Sequence, residues 1–189
     1  GTMRHIAAVQ THLRNHADTM VLIRSVDDIL EARKAGKLGL TYNLQETNPL
    51  DGELGMVEVY YQLGVRHMLM AYNQKNRVGD GCAERTDAGL SRFGVRVVEE
   101  MNRVGMLIDL SHSAELTSLQ AIEISERPVA ITHANPLSFH KGIRNKSDDL
   151  LKALAESGGM LGFSTYPFHI GGSDTTLDAF CGMIADTVE

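Results

Sequence analysis

The chain alternates short apolar runs with stretches of helical periodicity. Strands are predicted where the apolar runs occur, over residues 38–44, 65–71, 106–110, 129–132 and 160–165. Apolar residues that recur every three or four positions predict helices over residues 27–35, 53–63, 90–104, 114–125, 148–157 and 177–188. Near-continuous apolar strands are typical of a parallel sheet that is covered on both faces. The alternation of strands and helices therefore predicts an α/β fold.

Two architectures fit five parallel strands, an open doubly wound sheet and part of a (β/α)₈ barrel. A complete barrel takes about 250 residues, so the 189 residues of this chain would form only part of one. A glycine-rich phosphate loop directly after a strand would favour a nucleotide-binding sheet. The loop sequence GDGCAER, residues 79–85, is not followed by the helix start that such a loop requires.

Composition and charge exclude several functional classes. The net charge is −6, and the two signs are mixed along the chain without a basic stripe, which argues against nucleic-acid binding. No apolar run approaches the roughly 18 residues of a membrane-spanning helix. The two cysteines, Cys82 and Cys181, provide no disulfide framework and fit a reducing compartment, so we expect a cytoplasmic protein.

Two histidines stand where predicted strands end. His112 follows the strand over residues 106–110, and His133 follows the strand over 129–132. One strand–helix unit separates them, so adjacent parallel strands would bring the two imidazoles within several ångströms of each other at the carboxyl edge of the sheet. Two neutral imidazoles that converge in this way are suitable ligands for zinc or a similar cation.

Other roles are open to these histidines. Each of them can be a hydrogen-bonded loop residue, or the pair can act as acid and base without a metal. A zinc site needs three or four ligands, and the spacing supplies only two. His140 and His169 fall in later loops at the same edge, and their roles stay open.

Two further polar residues lie close to the histidines in sequence. Arg144, in the loop after His133, can bind a carboxylate through two parallel hydrogen bonds. Its alternative is a surface ion pair with Asp148 or Asp149. Asp109 lies within a strand, where it is either structural or a hydrogen-bond partner of a ligand histidine.

Four segments of the chain are informative together: YQLGVRHMLMAYNQKN, GLSRFGVRVVEEMNRVGMLIDLSH, RPVAITHANP and IRNKSDDLLKALAESGGMLG. They resemble the membrane (renal) dipeptidase family, peptidase family M19, and the resemblance covers nearly the whole chain. The resemblance implies an amidohydrolase-like (β/α)₈ barrel of the metal-dependent hydrolase type, of which this chain would be one incomplete domain. It also implies a zinc dipeptidase that cleaves dipeptides with a metal-activated water.

The resemblance assigns roles to individual residues. His112 and His133 take the positions of two histidine ligands of one metal, and Arg144 takes the position of the group that binds the terminal carboxylate of the substrate. One or two zinc ions are expected. Family members are commonly dimers, so a homodimer is considered, although no feature of the sequence marks a dimer surface.

The sequence departs from the family pattern at several points. The His-x-Asp pair of the first barrel strand and the late metal-binding aspartate have no counterpart, so the first and last strands are expected to be missing from this chain. Gln45 replaces the glutamate that bridges the metals, and Tyr72 replaces a substrate-contacting histidine. A glutamine oxygen can bind a metal but carries no charge, so a second ion is expected to bind weakly. Two alternatives follow: an amidohydrolase acting on a non-peptide amide or lactam, or a carboxylate-binding homologue with weakened catalysis.

Overall fold

The strands of the protein form two parallel sheets. A computed structural model describes residues 1–188 of the chain. The strands in chain order are β1 (Met20–Leu22), β2 (Leu38–Leu40), β3 (Tyr42–Leu44), β4 (Val65–Leu69), β5 (Leu107–Asp109), β6 (Ala130–Ala134) and β7 (Met160–Phe163). The main sheet has the order β3-β4-β5-β6-β7, and β1 pairs with β2 in a separate pair. Every neighbouring pair is parallel.

Helices connect most of these strands. They are α1 (Thr2–Asn15), α2 (Val26–Lys34), α3 (Met56–Gln62), α4 (Arg92–Val104), α5 (Glu115–Ile124), α6 (Asp148–Glu156) and α7 (Leu177–Val188). Strands that follow one another along the chain are neighbours in the main sheet, as in a (β/α) barrel. The predicted α/β class and the five core strands are confirmed. The five strands of this chain form an open sheet.

One predicted strand was wrong in its extent. Residues 38–44 form two strands on either side of Thr41, and β2 pairs with β1 whereas β3 pairs with β4. The pattern of apolar residues does not change at Thr41, so periodicity alone could not locate the break. The first helix and the first strand were not predicted, because α1 buries only Ile6 and β1 spans three half-buried residues.

The helix before His112 shows how the sequence fixes the position of the site. Ser91 caps α4 by accepting a hydrogen bond from the Gly94 N–H at 2.9 Å. Gly105 ends the helix in the left-handed conformation at φ 84°, which glycine adopts without steric cost. Val97, Val98 and Met101 on the apolar face of α4 are fully buried in the core. These features place β5, and therefore His112, in register with its neighbours.

A long loop, residues 70–91, folds over the carboxyl edge of the main sheet. Asn76 holds its start, donating to the Met70 carbonyl at 2.9 Å and accepting from the Val78 N–H at 2.8 Å. Within residues 1–188, no helix combines the length and apolar character needed to cross a bilayer.

Candidate metal and substrate site

The predicted site residues lie at one edge of the main sheet. Gln45 follows β3, Tyr72 lies shortly after β4, His112 follows β5, and His133 lies near the end of β6. Because these strands are parallel and consecutive, their carboxyl ends share one edge. Arg144 lies in the loop between β6 and α6.

The two histidine side chains meet. Nε2 of His112 lies 3.0 Å from Nε2 of His133, and the ring centroids are 5.0 Å apart at an interplanar angle of 62°. Both side chains are largely shielded from solvent. The structure therefore brings together the two imidazoles that the strand pattern predicted to converge.

Hydrogen bonds at the opposite ring nitrogens determine which nitrogen of each histidine carries the proton. Nδ1 of His112 lies 2.7 Å from Oδ1 of Asn73, and an amide oxygen only accepts, so Nδ1 is the donor. Nδ1 of His133 lies 2.8 Å from Oγ1 of Thr132. The Thr132 hydroxyl itself donates to the Asp109 carboxylate at 2.5 Å, so it accepts from His133. Both Nε2 atoms are left with an unprotonated lone pair.

This arrangement fits a shared cation. Two lone pairs that face each other at 3.0 Å repel unless a positive ion lies between them. Zinc–nitrogen bonds of about 2.0–2.1 Å at a tetrahedral angle place two ligand nitrogens about 3.3 Å apart. Fixed Nδ1 donors are also the usual way in which proteins orient metal-binding histidines. His112 and His133 therefore satisfy the chemistry of two ligands to one metal ion.

The electrostatic surroundings keep both imidazoles neutral. Burial, with the charge of Arg144 next in importance, lowers the pKa of His112 to about 3. Burial also lowers the pKa of His133, although the Asp109 carboxylate opposes this shift. Neutral imidazole is the form that binds metals, so neither histidine has to lose a proton at neutral pH.

Asp109 acts on the pair indirectly. Its buried carboxylate accepts hydrogen bonds from the hydroxyls of Ser111 and Thr132, each at 2.5 Å. The Ser111 hydroxyl in turn accepts from the backbone N–H of His133 at 3.1 Å. The sequence left Asp109 as either structural or a partner of a ligand histidine, and in the structure its connection to the His133 ring runs through Thr132.

Tyr72 packs against the pair. Its ring stacks on His112 with centroids 3.8 Å apart and an interplanar angle of 19°. The side chain is 38% exposed, so one part covers the imidazole and another faces solvent. Tyr72 thus forms a wall of the site, beside the position expected for a substrate.

Arg144 is buried beneath the histidines. Its side chain is 8% exposed, and its guanidinium donates to the carbonyls of Ser111 and His133, the latter at 3.3 Å. The alternative surface ion pair with the acidic start of α6 is therefore wrong. A guanidinium has five N–H donors, so donors remain beyond these two bonds for an anionic group.

Gln45 is not brought into contact with the histidines. It is exposed and lies in a cleft that His5 and Ile6 of α1 also line, and neither His112 nor His133 lines this cleft. Within residues 1–188, no group of three His, Cys, Asp or Glu side chains is arranged to hold a metal ion. The described part of the chain thus brings together two candidate ligands, His112 and His133, and the role of Gln45 as a third ligand stays a prediction.

Three residues that shape the site have no role assigned from the sequence. Asn73 and Thr132 orient the imidazoles, and Lys146 lies buried near Arg144. His169, whose role was left open, is buried with Nδ1 2.8 Å from the Ser164 hydroxyl. Threonine directly before a predicted ligand histidine was the one visible signal, since its hydroxyl can reach the neighbouring ring.

Comparison with known proteins supports the resemblance found in the sequence. The sequence model of the membrane dipeptidase family, peptidase family M19, matches residues 1–185. The chain belongs to this family. Its sheet of parallel strands with helical crossovers is accordingly part of the TIM-barrel-like fold of the M19 dipeptidases.

Individual relatives agree with this assignment. Dipeptidase verJ of Clonostachys rogersoniana is 30% identical over 161 residues, which are 84% of this chain and 42% of the relative. An amidohydrolase from Pseudomonas aeruginosa is 40% identical with a TM-score of 0.94, covering 99% of this chain and 57% of that one. A Rhodobacter sphaeroides metallo peptidase, liganded with a phosphinate mimic of the dipeptide L-Ala-D-Ala, shares the fold at 20% identity. Its TM-score is 0.87 over 96% of this chain and 55% of that structure. The chain thus spans about half the length of these M19 relatives.

Proposed function

We propose that the protein carrying this chain is a metal-dependent dipeptidase that uses zinc. The observation that supports this most strongly is the pair of unprotonated Nε2 atoms 3.0 Å apart, beside a buried arginine. Membership of the M19 family and the dipeptidase relatives point in the same direction.

Each residue of the site has its own role in the proposed reaction. His112 and His133 would hold the metal ion, which when bound polarises the scissile carbonyl and lowers the pKa of a bound water toward ~7. Arg144 binds the terminal carboxylate and so orients the peptide bond toward the histidines. Tyr72 closes the site beside His112. Gln45, at the end of β3, is the candidate ligand for a second, weakly held ion.

We infer that the substrate is a dipeptide with a free terminal carboxylate. Arg144 forms no ion pair with any carboxylate of residues 1–188, so the charge of its guanidinium is available to a bound anion. The phosphinate mimic of L-Ala-D-Ala in the Rhodobacter sphaeroides structure makes this dipeptide the first substrate to test.

A second candidate is hydrolysis of a non-peptide amide or lactam. The relative of 40% identity, which is named an amidohydrolase without a stated peptide substrate, keeps this candidate open. Gln45 takes the family position of an anionic residue, so a metal centre that included Gln45 would carry less negative charge than the family pattern. The two candidates share the histidine pair and differ in their need for the carboxylate that Arg144 binds.

The test compares two substrates on the full-length protein. L-Ala-D-Ala and its C-terminal amide differ only in the carboxylate, and zinc content is measured on the same sample. The proposal predicts bound zinc and a kcat/KM for the free dipeptide at least about 100-fold above that for the amide, because Arg144 has no anion to bind in the latter. Zinc with equal turnover of both would support the non-peptide alternative. Carboxylate binding without zinc would contradict both and indicate a non-catalytic homologue.

A further inference from the structure

The backbone that carries His112 is held at three consecutive carbonyls. The Ser111 carbonyl accepts a hydrogen bond from the guanidinium of Arg144. The His112 carbonyl accepts one from the backbone N–H of Cys82 at 2.8 Å. The Ser113 carbonyl accepts one from Nζ of Lys146 at 2.7 Å. All three donors come from other loops, so the segment cannot shift without breaking several bonds.

Lys146 is an unusual donor for such a bond. Its side chain is 3% exposed, and burial, followed by the charge of Arg144, lowers its pKa to about 8. It forms no ion pair with any Asp or Glu of residues 1–188. Burying an ammonium without a counter-ion is costly, so a gain in stability does not account for a lysine at this position.

The backbone of Lys146 connects it to the other histidine. Its N–H donates to the Asn135 carbonyl at 2.9 Å, and its own carbonyl accepts from the Leu137 N–H at 2.7 Å. Asn135 directly follows β6, the strand that carries His133. Lys146 therefore spans from the loop after β6 to the segment after β5, and it fixes the two histidine-bearing backbones relative to each other.

We propose that Lys146 is a positioning residue of the histidine pair. Its ammonium holds the Ser113 carbonyl and thereby keeps His112 at the distance from His133 that a shared cation requires. Lys146 contacts neither imidazole directly and acts through the backbone. The expected effect of Lys146 on metal binding rests on the proposed function. The restraint of segment 111–113 by Lys146 does not depend on a metal.

The experiment uses Lys146→Met in the full-length protein. Methionine is similar in length and removes the donor, and the loss of a buried charge favours a folded variant. Lys146→Leu, which also removes the donor, is the second variant if Lys146→Met does not fold, and the same results are expected of it. Lys152→Met, an exposed lysine of α6, is the matched control. Co²⁺ binding is followed by visible absorption, and amide hydrogen exchange is measured on the metal-free proteins.

Two results are expected of Lys146→Met. Its Co²⁺ affinity falls about 10-fold or more with an altered absorption spectrum, whereas Lys152→Met matches wild type. The Cys82 N–H, bonded to the His112 carbonyl, exchanges faster while α3 exchanges at the wild-type rate. Unchanged exchange at Cys82 would overturn the inference whatever the metal result. If wild type binds no Co²⁺, the proposed function fails, and Cys82 exchange alone decides the role of Lys146.

Discussion

Thr132 lies directly before His133 in β6, and its hydroxyl is placed between the histidine and a buried carboxylate. Oγ1 is 2.8 Å from Nδ1 of His133 and 2.5 Å from the Asp109 carboxylate. The hydroxyl donates to the carboxylate and accepts from the ring, so the carboxylate fixes the tautomer of His133 through one intermediate group. This relay leaves Nε2 free to bind a cation.

Removing the relay is expected to weaken metal binding. Thr132→Val keeps the shape of the side chain but leaves the His133 Nδ1–H and one Asp109 oxygen without their partner. Loss of such an orienting bond typically costs 10–100-fold in metal affinity, and we expect a loss in this range by zinc titration. Thr132→Ser keeps the hydroxyl and is expected to remain near wild type. Equal affinities for Thr132→Val and Thr132→Ser would show that the relay does not act on the metal.

Acid should destabilise the metal-free protein through His112. Its pKa is lowered from 6.5 to about 3 in the folded protein, so between these values the unfolded chain binds a proton that the folded chain does not. The free energy of unfolding is therefore expected to decrease as the pH falls from 6.5 toward 3. Urea unfolding at pH about 7 and about 5 measures this change.

His112→Asn provides the control for that measurement. The variant lacks the imidazole, so its free energy of unfolding should fall less between the two pH values than that of wild type. His67, whose pKa burial also lowers, is retained in both proteins, as are the neighbouring His133 and His169. The same pH dependence in wild type and variant would contradict the assignment of a buried, neutral His112.

Gln45 can be tested by restoring a charge at its position. Gln45→Glu adds a carboxylate at the end of β3, and an anionic ligand offsets the repulsion between two nearby cations. We expect more zinc bound per chain in the full-length variant than in wild type, measured by elemental analysis. Gln62→Glu, on the exposed face of α3, makes the same charge change away from the site. Zinc content that does not differ between the two variants would remove Gln45 from the ligand set.

The histidine pair could be predicted because it follows from local pattern and topology. An apolar run identifies each strand, and parallel connection places the carboxyl ends of neighbouring strands together. His112 and His133 needed no information beyond this. The position of Arg144 after His133 left carboxylate binding and a surface ion pair as alternatives, and the family resemblance implied the first. The structure shows that Arg144 is buried and not paired at the surface.

The groups that orient the pair could not be predicted in the same way. Asn73 reaches His112 from the long loop after β4, and Lys146 reaches Ser113 across two loops. Hydrogen bonds between distant loops depend on how those loops fold, which periodicity does not report. The break at Thr41 is similar, because it follows from the different partners of β2 and β3 and not from a change in sequence pattern.

Zinc binding by histidine variants shows whether His112 and His133 hold one metal ion together. His112→Ala and His133→Ala are compared with wild type and with His16→Ala, an exposed histidine at the end of α1. Each full-length protein is dialysed against zinc and its metal content is measured. We expect wild type and His16→Ala to retain the same zinc and both site variants to hold at least one ion fewer per chain. Wild-type zinc content in His112→Ala would contradict the assignment of the two histidines as ligands.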